Sequence, residues 1–406
     1  MLNVAEALAT LLDAVSSLPP REAQLEDASG CILAERIVAD RDFPPTDRSA
    51  MDGFAARAAD CSKPGTTLSV IGEVRAGQGA EAAFVGAGQA VRIFTGGVIP
   101  RGADAVVMVE LTEGDRNAGT VLVKERPEVG QHIRRQGEDL RAGETVIDAG
   151  TVIRAAEIAA LAAVGRTRVT IVRPPRVAVM STGDEVVEAD TTPGPHQVRN
   201  SNGRMLLAQI QSLGIDARYL GIARDNRTAL DAMIADGLTG DVLVLTGGVS
   251  VGEYDLVGAA LIRAGCEVLF HNVAMRPGKP IVAAKRGECL VLGLPGNPVS
   301  AFTGFHVFVA PALRKLMGHP APVAAPLRAM LVAPLRRRPG RLTYHLAHLR
   351  WHDGKPLVVP VTSASSGDVL SLVRANAFIV APGDTQPIPA GIEVDVVAWS
   401  LGGGVR

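Results

Sequence analysis

The rhythm of hydrophobic and polar positions changes several times along the chain. Val4, Leu8, Leu11 and Val15 recur at helical spacing and end before Pro19-Pro20, which predicts an amphipathic first helix. A Pro-rich joint at Phe43-Pro44-Pro45-Thr46 follows. From residue 46 to about 143 the pattern shortens to alternation, as in Thr67–Ile71 and Ala90–Phe94, with glycine turns between the runs. That pattern predicts a small β-rich domain. Helical spacing returns over Ala155–Val164. Pairing this helix with the first segment makes residues 46–143 an insertion in a discontinuous helical/linker domain, 1–45 plus 144–175.

Residues 176–320 alternate between two periods. Val177–Met180, Ala217–Ile222, Asp241–Leu245 and Leu290–Leu292 read as strands. Helical patterns over 203–213, 227–238 and 256–264 separate them, and a long apolar helix runs through Val309. Such alternation predicts a doubly wound α/β domain with a parallel sheet covered on both faces. Ligands on such sheets sit at the carboxyl ends of the strands. Beyond Pro320 only strand patterns remain: Arg341–His348, Leu357–Val361, Phe378–Ala381 and Val394–Ala398. Residues 321–406 therefore read as a small C-terminal β domain. The expected fold class is an α/β multidomain chain.

Composition narrows the function classes. The chain has 406 residues, 47% of them hydrophobic and 20% charged, enough for several cores. A formal charge of −1 and 3% aromatic residues favour neither a nucleic acid nor an anionic membrane surface. No apolar run approaches the ~20 residues of a membrane-spanning helix. The N-terminal stretch carries Glu6 and Asp13 and lacks a basic leader, so no signal peptide is expected and a cytoplasmic location is. Four scattered cysteines without CxxC spacing predict neither a disulfide framework nor a structural zinc.

Candidate chemistry gathers at strand ends. Ser181-Thr182-Gly183-Asp184-Glu185 follows one predicted strand, Thr246-Gly247-Gly248-Val249-Ser250 through Asp255 a second, and Gly293-Leu294-Pro295-Gly296-Asn297-Pro298 a third. Glycines let backbone N–H groups approach phosphate oxygens, and a following helix N-terminus favours an anion. Carboxylates such as Glu185 and Asp255 beside a phosphate call for a divalent cation, which suggests Mg²⁺. Met275-Arg276-Pro277-Gly278-Lys279-Pro280 adds two cations suited to an oxyanion. In the inserted module, Asp52, Thr95, Asp104 and Asp139 lie in loops that ordinary turn chemistry also explains. His345, His348 and His352 lack accompanying ligands and are expected on the surface. Walker, Rossmann and G-x-S-x-G signatures are absent, which weighs against ATPase, dehydrogenase and esterase classes.

Read together, the segments SAMDGFA (49–55), FTGGVIPRGADAVV (94–107), GED (137–139), STGDE (181–185), TGGVSVGEYD (246–255), RPGKP (276–280) and GLPGNP (293–298) resemble the molybdopterin molybdenumtransferase family. The stretch Ser366–Val380 is similar too, so the resemblance covers essentially the whole chain. It implies insertion of molybdate into adenylylated molybdopterin with Mg²⁺-dependent release of AMP. It implies that the α/β domain binds molybdopterin and that the C-terminal domain is barrel-like. Asp52, Asp139, Asp255 and Lys279 would be catalytic, and Glu185 and Asp255 would hold the metal. Thr95, Ser181, Gly183, Asp225, Gly247, Gly248, Ser250, Arg276, Pro295 and Pro298 would bind substrate, Arg276 and Lys279 on the molybdate side. A homodimer is implied, with the inserted module of one subunit completing the other's site, and transient contact with molybdopterin-adenylylating and molybdoenzyme-maturation proteins. Arg48, Arg276 and Leu256 depart from the residues usual in the family, and none of these changes removes an expected metal ligand. The competing readings are a molybdopterin adenylyltransferase, a non-catalytic scaffold and a phosphate-ester hydrolase.

Overall fold

A computed structural model describes the chain except for residues 78–83, 115–118, 250–255, 385 and 400–406. It forms two compact units, one of residues 1–35, 150–155 and 168–406, the other of residues 36–149 and 156–167.

The first unit is built on a six-stranded sheet in the order Ala217–Ala223, Val177–Thr182, Val242–Thr246, Cys289–Leu294, Val282–Arg286, Glu267–His271. The first four strands are parallel. The last two are antiparallel, so the sheet is mixed rather than wholly parallel as the sequence suggested. Val177–Thr182, Val242–Thr246 and Cys289–Leu294 are buried throughout, as expected of central strands with both faces covered. One face packs Leu206, Ile210, Phe305, Phe308 and Leu313 against Val179, Val244 and Leu292. The other packs Leu230, Ile234, Val257 and Leu261 against Met180, Leu245 and Val291.

The first helix, Val4–Asp13, is fixed by a capping box in which Asn3 and Glu6 satisfy each other's backbone N–H groups. Its buried Val4, Ala7 and Leu11, with Val15 beyond it, belong to the first face of the α/β core. Strand Pro20–Gln24 pairs with Arg168–Val172, which brings together two segments about 145 residues apart in the chain. Asp241 closes this region: it accepts from Arg173 at 2.7 and 2.9 Å and from the Arg176 N–H at 2.7 Å. The long apolar helix continues past Val309, as Pro298–Gly304, a π-helical stretch Phe305–Val309 and Ala310–Leu316.

Within the same unit a second six-stranded sheet runs Met275–Arg276, Leu342–His352, Lys355–Pro360, Leu327–Leu331, Glu393–Ala398, Ala377–Ala381. Leu342–His352 also pairs with Ala377–Ala381, which closes five of the strands into a small barrel. Closure removes the open sheet edges of this domain. The short Met275–Arg276 strand adds to Leu342–Thr343 in parallel and so carries the Arg276 loop onto the barrel.

The second unit contains a sheet ordered Ala105–Met108, Gly53–Ala56, Gln89–Ile93, Thr66–Val74, Thr120–Val123, Thr112–Glu113. Gly53 is required there, because a Cβ would lie 1.9 Å from the Val107 carbonyl oxygen. Helix Ala155–Ala163 forms where predicted.

Candidate active site

At the carboxyl ends of three adjacent strands lies a cavity of about 650 Å³. Ser181, Gly183, Glu185, Asp225, Gly247, Gly248, Pro295 and Pro298 all line it. The strand register explains the gathering: Ser181 pairs with Thr246 and Thr246 with Leu294, so the three loops leave the sheet level with one another. Gly247 and Gly248 have φ of +95° and +64°. A Cβ on Gly247 would sit 2.6 Å from the Thr182 carbonyl oxygen, so the loop lies against its neighbour strand in a way only glycine permits. Ser250 and Asp255 fall outside the described residues.

The sequence reading missed the first turn of helix Ser201–Gln211, whose Asn200, Ser201 and Asn202 also line the cavity. Asn200 caps that helix: its Oδ1 accepts from the Gly203 N–H and the Ser181 hydroxyl at 2.9 Å each. Its Nδ2 donates to the Tyr219 hydroxyl, which donates to Glu188 at 2.7 Å. Burial, aided by that hydrogen bond to Glu188, holds the Tyr219 phenol protonated well above its ordinary range.

The acidic loops crowd one another. The Asp225 N–H donates to Asp184 Oδ1 at 3.1 Å. Burial first, and then the charges of Asp184 and Glu185, push the Asp225 carboxyl up from its usual value. Among the described residues no three His, Cys, Asp or Glu side chains are grouped so as to hold a metal ion. The like charge gathered around Asp225 is the setting in which a cation would be held.

A second cavity of about 520 Å³ holds Arg276 and Lys279. It meets the first at Pro280 and Asn297, which line both. Arg336, Arg338 and Arg341 of the barrel domain join them, with no carboxylate among the lining residues. Arg276 Nη1 and His345 Nε2 are buried here without a hydrogen-bond partner. His345 is therefore half-buried in the cavity rather than at the surface, while His348 and His352 are exposed. Burial, with Arg276 and Arg338 nearby, pushes the His345 imidazole down to about 4, so it is neutral near pH 7. The segment ending this cavity is tied to the α/β domain: Asn297 Nδ2 donates to Ser366 Oγ at 3.0 Å, and the Val299 N–H to the Ser366 carbonyl at 3.0 Å.

Asp52, Thr95 and Asp139 belong to the second unit. Asp52 and Thr95 are brought together: Asp52 Oδ1 accepts from the Thr95 N–H at 2.7 Å and its hydroxyl at 2.8 Å. The backbone bond first, and then the hydroxyl, hold the Asp52 carboxyl below its ordinary range. Asp139 is bound to Arg134, which also pairs with Glu138 at 2.9 Å. Asp104 accepts from the Ala58 N–H at 2.6 Å, which is a structural task.

A cavity at the carboxyl ends of parallel strands is the ligand site of an α/β domain, and the comparisons with known proteins say which class it belongs to. Residues 178–315 match the family model described as a probable molybdopterin binding domain, 2–165 the MoeA N-terminal region (domain I and II), and 328–399 the MoeA C-terminal region (domain IV). The molybdopterin molybdenumtransferase of Bacillus subtilis is 37% identical over 92% of this chain and 88% of its own length. That of Staphylococcus epidermidis is 34% identical over 98% of this chain and 95% of its own. A solved molybdopterin biosynthesis MoeA protein from Pyrococcus horikoshii superposes with a TM-score of 0.82 at 32% identity, over 98% of this chain and 99% of that one. The chain belongs to the molybdopterin molybdenumtransferase family, enzymes of molybdenum cofactor biosynthesis. Among the described residues no helix is long and apolar enough to cross a membrane.

Proposed function

We propose that this enzyme inserts molybdate into adenylylated molybdopterin and releases AMP in a Mg²⁺-dependent step. The observation that carries the reading is the pair of adjoining cavities with opposite character. The strand-end cavity offers glycine backbone, hydroxyls and the first turn of an eleven-residue helix, donors suited to a phosphate-bearing pterin. The cationic cavity offers Arg276, Lys279 and three barrel arginines, with Arg276 Nη1 buried and unpaired, a fit for a small tetrahedral dianion. Glu185 and Asp255, with Asp225 a weaker candidate, would hold Mg²⁺, which would neutralise pyrophosphate charge and polarise the phosphorus. Gly247 and Gly248 would keep the phosphate-side backbone accessible, and Pro295 and Pro298 would hold the adjoining loop rigid. Lys279 and Arg276 would orient molybdate. Ser250, Ser181 and Gly183 would complete the contacts around the substrate.

In this reading the protein works as a homodimer in which Asp52, Thr95 and Asp139 of one subunit complete the site of the other. Transient contact with molybdopterin-adenylylating and molybdoenzyme-maturation proteins would deliver substrate and collect product, in the cytoplasm. Purified protein given adenylylated molybdopterin, Mg²⁺ and molybdate is expected to release AMP and form active cofactor. Failure to release AMP from authentic substrate would end this reading. Consumption of ATP with molybdopterin would instead favour an adenylyltransferase.

A further inference from the structure

Between Thr182 and Ser201 the chain leaves the sheet and returns as a flap of residues 183–200. Its outgoing limb carries Glu185 and its returning limb Arg199, and both line the strand-end cavity. The Glu185 carboxylate lies over Gly183, where a Cβ would come within 2.6 Å of Oε2. A short parallel ladder joins the limbs: the Val198 N–H donates to the Glu185 carbonyl and the Asn200 N–H to the Val187 carbonyl, both at 2.8 Å. Two such bonds are marginal support, so the place of the limbs depends on what anchors them to the domain.

Both limbs are anchored at Tyr219, which is not among the residues lining the cavity. Tyr219 pairs with Val179 in the neighbouring parallel strand, so the two side chains project to one sheet face, the face that Leu206 and Ile210 cover. Arg204 of the same helix lies over the Tyr219 ring at 4.8 Å. Proton directions are set by groups that act in one sense only. The Gly203 N–H only donates, so the Asn200 atom it meets is Oδ1, and Asn200 Nδ2 donates to the Tyr219 hydroxyl at 2.7 Å. The hydroxyl gives its own hydrogen to Glu188, also at 2.7 Å, and Glu188 accepts from Arg204 at 3.2 Å. One phenol hydroxyl thus ties Glu188, three residues past Glu185, to Asn200, the residue after Arg199.

We propose that Tyr219 is a positioning residue, which acts through Glu188 and Asn200 to hold Glu185 and Arg199 at the wall of the strand-end cavity. The inference rests on the reading of Glu185 as a Mg²⁺ ligand. Removing a group that orients a metal ligand typically weakens metal binding by about 10–100-fold. Arg204 keeps part of the hold on Glu188, so the loss expected here is smaller.

Tyr219→Phe keeps the ring beneath Arg204 and removes only the hydroxyl. Hydrogen exchange on the metal-free, full-length protein is the first readout. Amides of residues 185–200 are expected to exchange about fivefold faster, and those of Val242–Thr246 at an unchanged rate. Calorimetric titration with Mg²⁺ in the presence of AMP is the second. Its Kd is expected to rise about five- to tenfold, while molybdate affinity changes less than about twofold. A purely structural role would lower Tm and leave the Mg²⁺ Kd where it is. Glu188→Ala, at a side chain 35% exposed, releases the other end of the same connection and carries both readouts if Tyr219→Phe does not fold. The double variant is expected to match Glu188→Ala within about twofold. Unchanged flap exchange, faster exchange with unchanged Mg²⁺ affinity, or equal losses for Mg²⁺ and molybdate would overturn the proposal. If the wild type binds no Mg²⁺ beside AMP, the reading of Glu185 falls and the proposal with it; Mg²⁺ binding that is indifferent to Tyr219 sinks this inference alone.

Discussion

The two cavities of the first unit share a wall and differ in almost everything else. One sits at strand ends, is lined by Glu185 and Asp225 with a single arginine, Arg199, and derives its donors from glycine backbone and a helix end. The other lies against the barrel and is lined by four arginines and a lysine. In our reading the contrast would let one site hold two anions that repel each other in water. The larger anion is met by backbone dipoles and, in our reading, a cation on acidic ligands, and the smaller by fixed guanidinium charge. Pro280 and Asn297 stand between them, so the two ligands would meet at that boundary.

The comparison breaks most readily at Arg276. Its Nη1 is buried and unpaired, and burial followed by the nearby Arg338 and Arg341 pushes its pKa down. An anion would supply the partner it lacks. Arg276→Ala should weaken molybdate binding by about 30- to 100-fold, the loss of a charge-assisted pair, while AMP affinity changes less than about threefold. Isothermal titration with each ligand measures both. Parallel losses for the two ligands would mean that the cavities are not functionally distinct.

A smaller effect should appear at His345. Its imidazole titrates near 4 because it is buried beside arginines. The sign for stability follows. Between about 6.5 and 4 the unfolded chain binds a proton that the native state refuses, so stability falls as pH is lowered through that window and levels off below it. Bound molybdate neutralises the neighbouring cations and should move the His345 titration upward. NMR titration of the imidazole with and without molybdate reads the shift, and a pKa that falls or stays put would place the anion elsewhere.

The smallest effect belongs to the acidic loops. Like charge and burial raise the Asp225 carboxyl, so Asp225→Asn should relieve repulsion in the metal-free protein and raise its Tm by about a degree or two. The same change should weaken Mg²⁺ binding severalfold. Unchanged values for both would show that Asp184, Glu185 and Asp225 do not act as one field.

Much of the strand-end cavity was legible because its residues follow strongly apolar runs. Val177–Met180 and Val242–Leu245 are central strands, and glycine loops directly after three such strands, two of them with hydroxyl residues, have few structural reasons to occur together. Asn202 was not legible, since an Asn near a helix start reads as a cap, a task that Asn200 performs instead. The barrel arginines were hidden for a different reason. They reach Arg276 only because Met275–Arg276 adds two residues to a strand some 65 positions later, a ladder too short to leave a periodic signal. His345 was misplaced on the surface by the same omission, as the cavity around it is formed by that pairing. The antiparallel edge of the α/β sheet escaped because Val268-Leu269-Phe270 is a run of only three apolar residues, and periodicity does not give a strand's direction. Asp52 and Thr95 were named from motif resemblance, and their mutual hydrogen bonds supply a physical reason for the pairing.

The division of labour between the cavities is tested most directly by anomalous diffraction at the molybdenum edge from crystals soaked with molybdate. The account predicts a molybdenum peak within hydrogen-bonding reach of Arg276 and Lys279 and none beside Glu185 and Asp225. A peak in the strand-end cavity, with the arginine-lined one empty, would contradict it.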